Sequence, residues 1–315
     1  MQVLREILTV KRLFLFFCVH VSFFAFTLKR RFFREKTAMK LESKKNDIVL
    51  SDVSCFNVGL SVDCGQAFRW IKEEDGSFHG VIFKKAVDII QYKNEVIFKN
   101  TDEETFKTLL EPYFDLDRDY EKICAGFDDK YLKEACKKYS GIRILRQEPW
   151  ETLCSFIISQ NNNIPRIKGI IERLCSAFGE DIGNGDFSFP SAEVISALSE
   201  EDLAPLRAGF RNKYILDAAA KCCSGEVSLE KIKNMPIEQA RQELMKIKGV
   251  GPKVAECTLL YGFGRVEAFP VDVWVKRILS ELYENGLPQC TKGVEGIAQQ
   301  YLFHWRRNLE NAENL

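Results

Sequence analysis

The sequence predicts an α+β protein in which an N-terminal antiparallel β-sheet domain is followed by an all-helical domain. Three observations carry that reading. Short β-branched and aromatic runs, separated by turn residues, fill the stretch from Asp47 to about Asn100. Most of the remaining chain repeats its apolar residues at helical spacing. A length of 315 residues, 46% of them hydrophobic, gives room to bury a large core and to form two domains.

In the sheet region, Phe68-Arg69-Trp70 leads into Asp75-Gly76, a hairpin signal. Gly80-Val81-Ile82-Phe83 and Val87-Asp88-Ile89-Ile90 follow, and after the polar turn Lys93-Asn94-Glu95 comes Val96-Ile97-Phe98. Thr101-Asp102-Glu103-Glu104 reads as a capping box that opens the helical part. Helices are expected over about 102–112, 117–125, 129–138, 148–159, 164–178, 191–198 and 200–207. Further ones are expected over about 212–223, 235–247, 252–262, 272–284 and 292–304. The expected organisation is an extension over 1–38, a sheet domain over 39–140 and a helical domain over 141–315.

The extension is read by itself. Lys11-Arg12 precede an apolar run from Leu13 to Leu28, and Lys29-Arg30-Arg31 follow it. Its sixteen residues fall short of the ~20 that a membrane-spanning helix needs. The flanking charges suit a signal peptide, but no small-x-small cleavage site follows. Met39-Lys40-Leu41 begins an ordinary soluble stretch, so residues 1–38 are read as an upstream translation of the reading frame, outside the fold. A membrane anchor over 13–28 is the alternative.

Composition bounds the function. With 45 basic and 45 acidic residues the formal net charge is zero, which removes any chain-wide attraction to a polyanion. The charge is uneven: ten acids stand against three bases from Asp102 to Asp129, but seven bases against four acids from Arg241 to Arg277. A nucleic acid would be held by the second region, because phosphates are neutralised locally. Taken alone, both runs read equally as solvated helix faces. The eleven cysteines contain no Cys-x-x-Cys pair, and three histidines leave little material for a metal site. Cys154, Cys175 and Cys257 lie in apolar helical contexts, as expected of reduced core thiols in a cytoplasmic protein.

The chemistry concentrates between Asn234 and Asp272. Ile237, Ala240, Leu244 and Ile247 form an apolar stripe, Lys248-Gly249-Val250-Gly251 breaks it, and Pro252 restarts a helix at its first position. In such a helix–hairpin–helix, Gly249, Val250 and Gly251 would offer backbone N–H groups to a DNA phosphate. A Gly-x-Gly turn also occurs between helices without any such use. Lys253 falls in the first helical turn, where a cation opposes the macrodipole. That placement, with partial burial, favours the neutral and nucleophilic amine. Nineteen residues later, Phe269-Pro270-Val271-Asp272 leads into another helix, with Asp272 at its N-cap. A carboxylate there can simply cap, or can also stabilise positive charge developing on a sugar as its base departs.

The hairpin, the lysine and the Pro-Val-Asp together resemble the helix–hairpin–helix (HhH-GPD) DNA glycosylases that use a lysine nucleophile. Relatives of endonuclease III and adenine glycosylase carry a four-cysteine iron–sulfur cluster beyond the catalytic region. Here only Cys290 lies beyond Cys257. The branch resembled, over roughly residues 47–305, is 8-oxoguanine DNA glycosylase. Cys64-Gly65-Gln66-Ala67-Phe68-Arg69-Trp70 is similar to that family's N-terminal motif, which implies that the Gly65 carbonyl accepts the N7 hydrogen marking 8-oxoguanine. Ser159-Gln160-Asn161-Asn162-Asn163-Ile164-Pro165-Arg166 resembles the segment that probes the opposite cytosine, implying contacts from Asn161 and Arg166. Ala208-Gly209-Phe210-Arg211 resembles the wedge segment, with Phe210 intercalating and Arg211 assisting. Ala298-Gln299-Gln300-Tyr301-Leu302-Phe303 is similar to the pocket segment. The resemblance gives Gln299 the Watson–Crick edge of the flipped base and places Phe303 and Cys257 on its faces.

Read singly, Phe303 and Cys257 are ordinary core residues, Phe210 a connector aromatic and the asparagine run a turn. Their joint occurrence in the family's order outweighs those readings. Two departures point to a bacterial-type branch: Phe210 stands where eukaryotic members have tyrosine, and Trp274 where they have histidine. The resemblance implies a glycosylase and abasic-site lyase acting as a monomer on double-stranded DNA containing oxidised guanine. It implies no metal, organic cofactor or obligatory protein partner, and a cytoplasmic, nucleoid-associated setting. The competing readings are a non-catalytic helix–hairpin–helix DNA-binding module and a glycosylase for another damaged base.

Overall fold

The strands form in sequence because tight polar turns separate runs that bury alternate residues. β1 (Lys40–Lys44), β2 (Asp47–Ser51), β3 (Trp70–Lys72), β4 (Phe78–Ile82), β5 (Lys85–Tyr92) and β6 (Glu95–Phe98) make one sheet in the order β1-β2-β6-β5-β4-β3. The computed structural model describes residues 39–313, with side chains to Leu309. The apolar run 13–28 and both readings of the extension therefore lie outside the described residues. Among the described residues, no helix is long and apolar enough to cross a membrane.

Two-residue turns fix the register of three hairpins, and Lys45, Phe83 and Lys93 take the left-handed conformation that such turns require. Tyr92 pairs with Glu95 and Ile82 with Lys85. β1 was not legible in the sequence: its Lys-Leu-Glu-Ser-Lys is almost wholly exposed at the sheet edge, so no apolar alternation announces it.

A helical stretch over 103–113 packs on the sheet. Its cap is Asp102 rather than Thr101, with the Asp102 carboxylate accepting from Thr105 N–H at 2.6 Å. The stretch contains a π-helical segment, Phe106–Leu110. Phe98 on β6 meets the Phe106 ring at 5.2 Å and the Phe114 ring at 5.9 Å, and the Trp70 indole donates to the Tyr113 hydroxyl at 3.0 Å.

The remaining helices follow the predicted order. They include Pro149–Ser159, Ile164–Phe178, Arg211–Ser224 and Ile237–Leu244. Pro252–Cys257 runs on as a π-helical segment, Thr258–Gly262, and Val273–Leu282 and Glu295–Glu313 close the described chain. Short elements escaped sequence reading: the helices Val58–Val62 and Leu229–Ile232, and a small hairpin of β7 (Asp181–Gly183) and β8 (Asp186–Phe187). Each is too short to show a hydrophobic period.

Among the described residues, 41–313 belong to one compact unit. Buried Gln66 is a main tie between the sheet region and the helices. Its amide donates to the Ser61 and Arg143 carbonyls at 2.8 and 2.7 Å and accepts from Leu145 N–H at 3.0 Å. Gln147 returns a bond to the Gln66 carbonyl at 2.7 Å. Buried Arg143 donates to the carbonyls of Cys55, Asp115 and Arg118. Polar groups satisfied this completely hold a loop in one conformation, and leaving any one of them unpaired would cost about 1–3 kcal/mol. The residue next to Gln66 is Gly65, so this tie positions the predicted site.

Candidate active site

The site assembles where the starts of two helices meet one face of a third and the Cys64–Gly65 loop. Gly251 caps Pro252–Cys257, and Pro252 occupies its first position, which puts Lys253 in the first turn. Asp272 caps Val273–Leu282 as expected, its carboxylate accepting from Val275 N–H at 2.8 Å. The helix Glu295–Glu313 supplies Gln299, Gln300 and Phe303. A cavity of about 50 Å³ gathers Gly65, Lys253, Cys257, Asp272, Gln299 and Phe303.

Lys253 Nζ stands 4.9 Å from the centre of the Phe156 ring, and Phe156 stacks on Tyr261 with centroids 5.4 Å apart. One helical turn after Lys253, burial pushes the Cys257 thiol up to about 11, although Lys253 beside it works in the opposite direction. Cys257 is therefore a neutral, apolar wall near neutral pH. Phe156 and Tyr261 were missed in the sequence because they look like core aromatics, and they are core aromatics whose edges reach the cavity.

Glu256 was also missed. Its buried carboxylate accepts from Phe269 N–H at 2.6 Å and pairs with Arg241. It thus ties the lysine's helix to the loop that ends in Asp272. The available signal was a carboxylate in the apolar run Val254-Ala255-Glu256-Cys257, three residues after Lys253.

The hairpin offers fewer free donors than expected. Val250 is buried and its N–H donates to the Ile247 carbonyl at 3.0 Å. The Lys248 N–H is taken by the Asp217 carboxylate at 2.6 Å. In the free protein the Val250 N–H is thus engaged within the hairpin itself.

A second surface carries the remaining expected residues. Asn161 and Arg166 are both exposed, Asn161 in the short connection into Ile164–Phe178 and Arg166 in the first turn of that helix. Asn161 has φ 48°, and the Asn163 side chain caps the helix by accepting from Arg166 N–H at 3.0 Å. Phe210 is 50% exposed at the start of Arg211–Ser224 and meets the Tyr214 ring at 5.6 Å. Arg211 lies behind this surface. It is only 3% exposed, and its guanidinium donates to the carbonyls of Ala208, Gln160 and Asn161. In the free protein it holds one loop against the other. Trp274 carries Arg277 over its ring at 5.3 Å. Among the described residues, no group of three or more His, Cys, Asp or Glu side chains could hold a metal ion.

Residues 48–153 match the 8-oxoguanine DNA glycosylase N-terminal domain, and residues 154–297 match the HhH-GPD superfamily of base excision DNA repair proteins. An N-glycosylase/DNA lyase of Saccharomyces cerevisiae is 36% identical over 280 residues, covering 78% of this chain and 71% of that protein. The chain belongs to the 8-oxoguanine DNA glycosylase family. Solved members share its architecture. MBOgg1, determined with a low-affinity DNA ligand, is 42% identical with a TM-score of 0.81, covering 86% of this chain and 99% of that one. The Clostridium acetobutylicum 8-oxoguanine glycosylase/lyase was determined with duplex DNA containing cytosine opposite 8-oxoguanine. It is 36% identical with a TM-score of 0.81, covering 87% of this chain and all of that one. This glycosylase is accordingly a DNA N-glycosylase with abasic-site lyase activity, an enzyme of DNA repair.

Proposed function

We propose that this glycosylase excises 8-oxoguanine from opposite cytosine in duplex DNA and then cuts the strand by β-elimination through Lys253. The observation that carries the reading is the single cavity shared by Lys253, Asp272, Gly65 and Gln299. The duplex bends over the exposed face, Phe210 fills the gap in the stack, and the damaged nucleotide turns into the cavity. Asn161 and Arg166 contact the orphaned cytosine, and the two hairpin glycines hold a phosphate.

Within the cavity, the Gly65 carbonyl accepts the N7 hydrogen that guanine lacks. Gln299, Phe303 and Cys257 hold the base. The Lys253 amine attacks C1′ as the glycosidic bond breaks, and the base leaves with that electron pair and takes up a proton. Asp272 stabilises the positive charge on the sugar. The ring-opened adduct is a Schiff base. Loss of a C2′ proton then expels the 3′ phosphate and breaks the strand.

Borohydride trapping on duplexes carrying 8-oxoguanine opposite each of the four bases tests this. The trapped complex should form fastest opposite cytosine and vanish in Lys253→Gln. A covalent complex retained by that variant would remove Lys253 from the mechanism, and equal rates opposite all four bases would remove the cytosine preference.

A further inference from the structure

Gln299 and Gln300 are consecutive on one helix, both line the cavity, and they are only 5% and 2% exposed. Each holds one buried polar atom without a partner: Oε1 of Gln299 and Nε2 of Gln300. Buried donors and acceptors are costly to leave unpaired, so an orphan pair on two residues that line a cavity points to what the cavity receives. The Gln300 amide is also oriented. Its Oε1 accepts from the Tyr261 hydroxyl at 2.7 Å, and burial holds that phenol protonated. Tyr261 is in turn fixed by its stack on Phe156, with ring planes 18° apart. The free end of Gln300 is therefore its N–H₂.

We propose that Gln300 is a specificity-determining contact, its Nε2 donating to the C6 carbonyl of the flipped base while Gln299 Oε1 accepts from N1–H. This rests on the reading that the cavity takes the flipped base, and it adds the edge by which 6-oxopurines are chosen. An acceptor beside a donor complements N1–H and C6=O. A 6-aminopurine presents the reverse, an acceptor at N1 and a donor at the 6-amino group, and leaves both protein atoms mismatched. Sequence reading assigned only Gln299, because the second glutamine is informative only once Tyr261 is known to hold its oxygen.

The test is single-turnover excision by the full chain, on duplexes carrying 8-oxoguanine, 8-oxohypoxanthine or 8-oxoadenine at the same position. 8-Oxohypoxanthine keeps N1–H and C6=O but lacks the 2-amino group. The wild type should accept both 6-oxopurines and disfavour 8-oxoadenine. Gln300→Leu should slow both 6-oxopurines together, about tenfold to a hundredfold, and narrow their advantage over 8-oxoadenine by the same factor. Gln300→Glu, which places an acceptor where the donor stood, should narrow it further. Because the readout is a ratio on one preparation, partial misfolding cancels.

An unchanged ratio in Gln300→Leu overturns the proposal while leaving the cavity reading intact. If that variant excises nothing, Tyr261→Phe decides: it keeps Gln300 but releases its amide, and a wild-type ratio there overturns the proposal too. A wild type that excises none of the three bases defeats the underlying cavity reading instead.

Discussion

The ring of Tyr214 lies so close to Gly249 that a methyl group on that glycine would fall 2.2 Å from Cδ2. The same ring meets Phe210 edge-on at 5.6 Å. Tyr214 therefore lies between the hairpin and the exposed Phe210 ring, and only a residue without a side chain fits beneath it.

Gly249→Ala tests that spacing. The glycine also has φ 79°, so alanine there meets both backbone strain and the tyrosine ring. The variant should lose about 1–3 kcal/mol of stability in urea melts and bind an abasic-site duplex more weakly. Wild-type values for both would show that the contact does not fix the hairpin.

Asp272→Asn separates capping from chemistry. Asparagine caps a helix about as well as aspartate, so stability should change by only a few tenths of a kcal/mol, roughly within error of a melt. The rate of base release should nevertheless fall about a hundredfold or more, since the charge proposed to face the sugar is gone. Equal single-turnover rates would confine Asp272 to its cap.

Gly65→Ala probes the carbonyl proposed to read the lesion. The added methyl has room, its nearest neighbour being Ile164 Cδ1 at 3.7 Å, but φ at this position is 90°. The backbone should therefore rotate rather than the neighbours move, at about 1–2 kcal/mol, swinging the carbonyl off its line. The preference for 8-oxoguanine over guanine should weaken. An unaltered preference would remove Gly65 from recognition.

The sequence made most of this architecture readable, since the long periodic helices and the hairpin turns are local signals. The cavity was readable through Lys253, Asp272 and the motif residues around Gly65 and Gln299. What stayed hidden depends on contacts between distant segments. Glu256 and Tyr261 look like parts of one apolar helix until Phe269 N–H and Gln300 are found against them. The sequence expectation for Arg211 was assistance to Phe210, and nothing in its own segment tells of the Gln160 and Asn161 carbonyls. The bond from Val250 N–H to Ile247 is likewise hidden, because it exists only in the folded turn.

His79 adds a pH dependence away from the cavity. Its ring nitrogens lie 2.7 Å from Asp88 and 3.0 Å from Asp186, joining β4 to the small hairpin. Burial lowers its pKa, but the two carboxylates outweigh it and the net direction is upward from 6.5. The folded state then binds the proton more tightly than the unfolded one. The stabilisation is fully present below 6.5 and is lost as pH rises through the raised folded value. His79→Gln should cost about 0.5 kcal/mol near pH 5.5 and less near pH 8.5, read from urea midpoints. A cost that grows with pH would reverse the assignment.

Arg211 has a consequence for how the two exposed loops respond to a duplex. Its donors bind the carbonyls of Gln160 and Asn161 on one loop and of Ala208, two residues before Phe210, on the other. The segments are more than forty residues apart along the chain, yet they share one guanidinium. On the function proposed above, a push on the Phe210 ring would reach Asn161 through this guanidinium, which would couple the filling of the gap to the contact with the orphaned base. Loop grafting between relatives would have to move both segments with the arginine that fastens them, since either one alone arrives without its anchor.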